Sequence, residues 1–331
     1  MRPEFDLINR IRAAARRYSP ELILGIGDDA AILKRPSGRW SLVTTDALVE
    51  DVHFRREYTP ARLLGHKALA VNLSDIAAMG GTPREFLLTL AIPPDFDEAS
   101  LDEFFNGLLT LADATSTVLI GGDLSASRSG LMIVITVLGD CPVHQAVRRD
   151  GAMPGDLLYV TGRLGLSALG LALLQSGVRL SESLPDLQRE ALLAHLAPQP
   201  RLAVGRYLGE HRIADAMIDV SDGLSSDLFH LCDESGVGAV VYADCLPVVA
   251  GAGDLGLDPL IAALHGGEDY ELLFTVKKHK AHLIAELQSA VPDVPLTCIG
   301  QIIGEPRKIF LEREGQRELL QPQGYDHFRR M

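Results

Sequence analysis

The stretch GIGDDAAIL (Gly25–Leu33) sets two aspartates, Asp28 and Asp29, on a glycine-rich turn just before an apolar run. Two carboxylates about 4 Å apart repel by roughly 4 kcal/mol at an effective dielectric near 20, so something must offset that cost. The same device recurs along the chain. Asp46 stands in LVTTDAL, Asp75 in AVNLSDIAAMGG, Asp123 in LIGGDLS, and Asp219 with Asp222 in IDVSDGL, each beside Gly, Ser or Thr. Small neighbours let backbone and ligand approach closely. Hard oxygen donors without His or Cys suit Mg²⁺, which joins a few carboxylates to substrate phosphates.

Each motif alone is also an ordinary turn, since GGD and DG are common turn sequences. Asp75 is different. It lies inside a helical run (Leu64, Ala68, Val71, Ile76, Met79), where Asp is a poor helix former and a buried charge is costly. TGRLGLSALG (Thr161–Gly170) faintly resembles a phosphate turn but reads as helix–strand packing. GGEDYELLFT (Gly266–Thr275) by itself reads as a solvated loop. His53, in EDVHF, matches no metal-pair spacing, and Arg149, in VRRDGAMPGD, is explicable as linker charge. Neither a P-loop nor a protein-kinase signature is present.

The elements that position these residues read as α/β (α+β) in two halves. The first half predicts helices over 4–17, 60–79 and 98–114, and strands near 40–45, 85–92, 117–121 and 131–139. DCPVHQAVRRDGAMPGD (140–156) has the mixture of Pro, Gly and charge found at domain boundaries, which sets domains of 1–140 and 150–331. The second half restarts with LLYVTG as a strand and LSALGLALLQ as a helix, followed by helices over 188–210. AMIDVSDGL then runs as a strand into the helix SSDLFHLCDESG, and YELLFTV is a further strand.

Composition narrows the partners. The 331 residues are 47% hydrophobic and 23% charged, ordinary for a globular enzyme. No apolar run reaches the length of a membrane span, and the arginine-rich start carries Glu4 and Asp6, so it reads as an amphipathic helix. Four scattered cysteines (Cys141, Cys232, Cys245, Cys298) argue against a zinc site and fit the reducing cytoplasm. The net charge of −13 disfavours nucleic acid and anionic membranes, though not anionic substrates whose charge is covered by metal ions.

Taken in order, GIGDDAAIL, TTDALVEDVHF, HKALAVNLSDIAAMGGTP, LIGGDLS, DVSDGLSSDL, GGEDYELLFT and the terminal GYDHF resemble the thiamine-monophosphate kinase family, over about residues 5–328. That family belongs to the aminoimidazole ribonucleotide synthetase-like ATP-binding superfamily. The resemblance implies a two-domain fold of that type, with an N-terminal mixed sheet plus helices and a C-terminal α/β domain. It also implies transfer of the γ-phosphoryl of ATP to thiamine monophosphate, direct and supported by several Mg²⁺ ions, in a homodimer.

By the same resemblance Asp29, Thr44, Thr45, Asp46, Asp75, Asp123, Asp219 and Asp222 occupy metal-binding positions, with Asp46, Asp75, Asp123 and Asp222 central to catalysis. Gly122, Asp123, Arg149 and Ser221 fall at ATP contacts, and His53 and Glu268 at contacts to the thiamine substrate. Tyr325 is the candidate aromatic over the thiamine, Pro322 standing near the point where relatives carry one. The rival readings are a sister synthetase of the superfamily, a metal-dependent phosphohydrolase and a non-catalytic nucleotide sensor. The reactive N-terminal Cys expected of a selenium enzyme is absent, the first cysteine being Cys141.

Overall fold

The structure is a computed structural model that describes residues 4–14, 19–35, 38–325 and 327. The chain opens with α1 (Glu4–Ala14), β1 (Leu22–Leu24), β2 (Ala31–Lys34) and β3 (Arg39–Val49). Next come α2 (Ala61–Ala78), β4 (Thr82–Ile92), α3 (Glu98–Thr115), β5 (Val118–Ala126) and β6 (Met132–Pro142). The strands form one sheet in the order β1-β2-β3-β6-β4-β5, antiparallel except for the parallel β4–β5 pair. Alternation along β3 puts Leu42, Thr44, Asp46 and Leu48 on one face.

The second half contributes β7 (Leu157–Thr161), α4 (Leu166–Gln175), α5 (Asp186–Leu196), α6 (Leu202–Glu210), β8 (Ala216–Val220) and α7 (Leu224–Ser235). It continues with β9 (Gly238–Tyr242), α8 (Pro259–His265), β10 (Glu271–Val276) and α9 (Leu283–Ala290), and ends with β11 (Leu296–Ile303), β12 (Ile309–Arg313) and β13 (Gln316–Leu319). A second mixed sheet runs β13-β12-β9-β11-β7-β10-β8. β8 (AMIDV) and β10 (ELLFTV) are buried along their whole length, β8 even though it ends the sheet, and both are mostly apolar.

The two halves meet on α2. This helix packs on β3, β4 and β6 of the first sheet, and on α5, α6, β8 and β10 of the second half. A helix buried all round has no polar stripe, and α2 shows none: residues from Leu64 to Ala78 are nearly all enclosed. The polar side chains it does carry, Lys67, Asn72 and Ser74, are therefore placed for specific partners.

The sequence locates α2, α3, α4 and β6 closely. It misses the short strands β1, β2, β9, β12 and β13 and the longer β11, and ends the GGD strand too early, for β5 pairs with β4 straight through Gly122 and Asp123 to Ala126. The end of the expected 4–17 helix, residues 15–17, lies outside the described residues, as do Asp326 and Phe328 of GYDHF.

Helices α2 and α3 touch through glycines. A Cβ on Gly65 would lie 1.9 Å from the Phe104 carbonyl oxygen, and one on Gly107 1.7 Å from that of Arg62. Because backbone cannot swing aside as a side chain can, Gly107→Ala should destabilise the protein by about 3 kcal/mol, the upper end for overpacking. Chemical denaturation of the variant beside wild type checks this, and an unchanged midpoint would refute the tight crossing.

Candidate active site

The turn between β1 and β2 carries the paired aspartates, and the fold answers their repulsion with Arg149. The Arg149 guanidinium pairs with Asp29, its Nε lies 3.3 Å from Asp29 Oδ2, and its main-chain N–H donates to Asp28 Oδ2 at 3.0 Å. Ser235 Oγ in turn donates to the Arg149 carbonyl at 2.6 Å. On β3, Thr44 Oγ1 donates to Asp75 Oδ2 at 2.5 Å, and the Asp46 N–H donates to Asn72 Oδ1 at 3.0 Å. Ser74 Oγ donates to Asp219 Oδ2, at the end of β8, at 2.6 Å.

These bonds gather Asp29, Asp75 and Asp219 so that a carboxylate oxygen of each lies within 4.8 Å of the others. Asp75 also sits in the last turn of α2, where the helix dipole opposes a negative charge. Burial, then the charges of Asp46, Asp219 and Asp29, hold the Asp75 carboxyl well above its ordinary range. Burial and Asp29 raise Asp219 to about 8, Asp46 to about 6 and Asp28 to about 7. Carboxylates held this reluctant to ionise, joined by a threonine hydroxyl and no His or Cys, form a donor set that fits a hard divalent cation such as Mg²⁺.

The remaining predicted residues distribute around this centre. Ser221 and Asp222 follow β8, and the carbonyl of Ser221 accepts from the Glu268 N–H at 2.7 Å, which ties this loop to Gly266–Tyr270. The Asp222 carbonyl accepts from the Tyr325 N–H at 3.0 Å, so the C-terminal tail folds over the same loop. Tyr325 meets the His327 ring edge-on, and His53 Nε2 lies 3.4 Å from His327 Nε2. His53 Nδ1 accepts from the Val49 N–H, and burial followed by the charge of His327 lowers its pKa to about 4.

Three placements differ from the expectation. The Thr45 hydroxyl lies on the opposite face of β3, bonded to the Ile135 carbonyl and Thr136 Oγ1, away from the Thr44–Asp75 contact. Asp123 is exposed on the edge strand β5, opposite Thr89, and does not belong to the gathered trio. Gly122 beside it serves the sheet, since a Cβ there would lie 1.7 Å from the Leu88 carbonyl oxygen.

The loop Gly266–Tyr270 is no solvated loop. Glu268 and Tyr270 adopt φ of 64° and 51°, and Tyr270 is buried. The Asp269 carboxylate accepts from the Gly165 and Ser167 N–H groups at 2.6 and 3.1 Å, filling the N-terminus of α4 that resembled a phosphate turn.

Sequence reasoning missed Asn72, Ser74 and Asp227. Asp227 is buried in α7, where its Oδ2 accepts from the Asp222 and Gly223 N–H groups at 3.1 and 3.0 Å and fixes that turn. For the first two the available signal was the polar run Asn72, Ser74, Asp75 inside the apolar stretch 68–78.

A carboxyl whose pKa rises on folding favours the folded state below its unfolded value near 3.8, and that benefit is lost as pH climbs through the folded value. The metal-free protein should therefore lose melting temperature from these groups between about pH 5 and pH 8. Added Mg²⁺ should raise the melting temperature more at the alkaline end. Asp75→Asn should stabilise the chelator-treated protein at about pH 8 by about 1–2 °C per kcal/mol of repulsion relieved, while blunting the response to Mg²⁺. Scanning calorimetry with and without chelator decides it, and an Mg²⁺ response undiminished in the variant would refute the cation site.

Comparison with known proteins accords with this arrangement. The AIR synthase related protein N-terminal domain model matches residues 27–141, and the C-terminal domain model residues 153–311. The chain is 40% identical over 331 residues to the thiamine-monophosphate kinase of Escherichia coli (strain K12), covering 98% of each. It is 36% identical over 328 residues to that of Bacillus subtilis (strain 168), covering 98% of this chain and 99% of the relative. A solved structure described as AaThiL complexed with AMPPCP and TMP superimposes with a TM-score of 0.85 at 32% identity, over 99% of each chain. On this evidence the chain belongs to the thiamine-monophosphate kinase family of AIR synthase related proteins.

Proposed function

We propose that the protein transfers the γ-phosphoryl group of ATP directly to thiamine monophosphate, giving thiamine diphosphate and ADP. The observation that carries this reading is the likeness, along the whole chain, to a structure described as holding AMPPCP and TMP. The gathered carboxylates supply the chemistry such a transfer needs. Asp29, Asp75 and Asp219 with Thr44 would hold Mg²⁺, and Asp46 and Asp222 would add carboxylate charge beside them. Bound there, Mg²⁺ supplies neutralisation of phosphate charge and Lewis-acid polarisation of phosphate oxygens.

The chain's own residues position the reactants. Phosphoryl transfer leaves little covalent work for side chains, so catalysis is placement plus charge stabilisation. The acceptor phosphate is ionised at neutral pH, and no strong general base is required. Arg149, with Gly122, Asp123 and Ser221, belongs to the ATP side, its planar guanidinium suited to phosphate oxygens. His53, Glu268 and Tyr325 belong to the thiamine side. His53 acts there as a neutral ring whose Nε2 carries the proton, because its Nδ1 accepts from Val49.

In this reading residues 1–140 form the ATP- and metal-binding domain and 150–331 the domain that completes the site. A homodimer fits the edge strand β5, which leaves Val118, Ile120 and Leu124 at 58%, 57% and 63% exposure. An open, apolar edge invites pairing with a second copy. No helix of the described residues is long and apolar enough to cross a membrane, and the four cysteines are unpaired, which supports a cytoplasmic setting.

Chromatography of protein, ATP, Mg²⁺ and thiamine monophosphate should show thiamine diphosphate appearing one-for-one with ADP. Asp46→Asn should reduce turnover by about 100-fold or more without unfolding the protein. ADP and free phosphate in place of the diphosphate would favour a phosphohydrolase. Separately, Ile120→Lys combined with Leu124→Lys should shift the sedimentation coefficient from dimer to monomer; an unchanged coefficient rules out pairing through β5.

A further inference from the structure

Lys67 is the bulkiest of the fully enclosed side chains, 1% exposed in the middle of α2. A lysine is almost never enclosed so completely unless paired. Its partner is Glu268: Lys67 Nζ lies 2.9 Å from Glu268 Oε1. The second oxygen, Oε2, lies 3.2 Å from Nδ1 of His195 on α5, and that nitrogen is 3.1 Å from Ser167 Oγ in the first turn of α4. A helix of the first half, two helices of the second half and the Gly266–Tyr270 loop thus converge on one carboxylate.

The two members of the ion pair are not equally hidden. The Glu268 side chain keeps 24% of its surface open against 1% for Lys67, so the cluster presents an anion and conceals the cation. His195 adds no charge, since burial and the neighbouring ammonium lower its pKa to about 3. Its Nδ1–H tautomer is the one that gives Glu268 a donor. Two tyrosines, Tyr58 and Tyr270, lie within range of the Glu268 charge. An accessible carboxylate of this kind suits a cation.

Stability alone does not account for the arrangement. Replacing a buried ion pair by apolar or neutral groups of similar volume is often neutral or stabilising. Glu268 moreover holds a left-handed backbone, φ 64°, that a non-glycine residue adopts only when its surroundings enforce it.

We propose that Lys67 and His195 are positioning residues, which hold the Glu268 carboxylate where it receives the cationic ring of the acceptor. The inference rests on the proposed function, because the thiazolium ring of thiamine monophosphate is the cation in question. Lys67 touches neither substrate nor phosphate in this scheme and acts only through Glu268.

Steady-state kinetics with acceptor and ATP varied separately, beside calorimetric binding of unphosphorylated thiamine, tests it. Lys67→Met should raise KM for thiamine monophosphate at least about tenfold, with KM for ATP within about twofold. His195→Gln, which keeps a donor, should show the same split at about threefold. Should Lys67→Met not fold, the double variant Lys67→Met with Glu268→Gln removes both buried charges. Its melting temperature should approach that of wild type while acceptor and thiamine affinity stay lost.

Recovery of acceptor affinity along with melting temperature in the double variant would overturn the inference, as would an equal rise in both KM values in Lys67→Met. If wild type transfers no phosphoryl group to thiamine monophosphate, the functional reading falls by itself. Thiamine binding that is lost in the variants would then still uphold the positioning role, and binding that persists would end it.

Discussion

Repulsion among carboxylates that cannot all be hydrated governs this molecule. Asp29, Asp75 and Asp219 come within 4.8 Å of one another, in surroundings where two of them are held protonated to unusually high pH. Hydroxyl donors from Thr44 and Ser74 and the guanidinium of Arg149 relieve part of this, but a single guanidinium cannot balance three acids together with Asp28 and Asp46. A folded state with an uncompensated charge is strained toward whatever supplies the missing counter-charge. A divalent cation bound among these carboxylates would supply that counter-charge and so stabilise the fold.

The architecture follows from bringing those acids together. They come from a turn, a buried helix and a strand of the opposite sheet, so neither half owns the site. Helix α2 is the shared element, placing Ser74 and Asp75 toward Asp219 and Thr44 at one end and Lys67 toward Glu268 a little over two turns earlier. The carboxylate cluster and the Lys67–Glu268 ion pair are therefore fixed to one rigid rod. A tilt of α2 would disturb both, which explains the close glycine crossing with α3 that pins it.

How much of this was legible in the sequence depended on whether the signal was local. Helix α2 stood out by length and apolar content, and Asp75 by being a charge inside it. The motifs in their order identified the family, and the carboxylates at Asp29, Asp75 and Asp219 emerged as candidates before any geometry. The short strands β1, β2 and β13 escaped because three or four residues carry too little periodicity, and the sheet around them decides their state. GGDLS read as a turn because glycines usually break strands, yet β5 needs Gly122 to lie against β4. Lys67 went unnoticed because lysine is ordinarily a surface residue; only the absence of any polar face on α2 betrays its burial. The opposite facing of Thr44 and Thr45 follows from strand alternation once the buried face is known, and the motif alone does not reveal that face.

The Asp269 carboxylate at the start of α4 has a consequence for ligand traffic. A helix N-terminus bearing free N–H groups is a general trap for phosphate anions. Here the trap is stoppered by an acid on the same chain, bonded to the Gly165 and Ser167 N–H groups. A tethered group competes at an effective concentration on the millimolar scale or above, whatever the solution holds. Free phosphate would have to displace that tethered carboxylate to bind there, so the terminus of α4 is closed to it as a resting place. The stopper thus acts as a filter: it narrows the ways a phosphorylated molecule can be held by the wrong end.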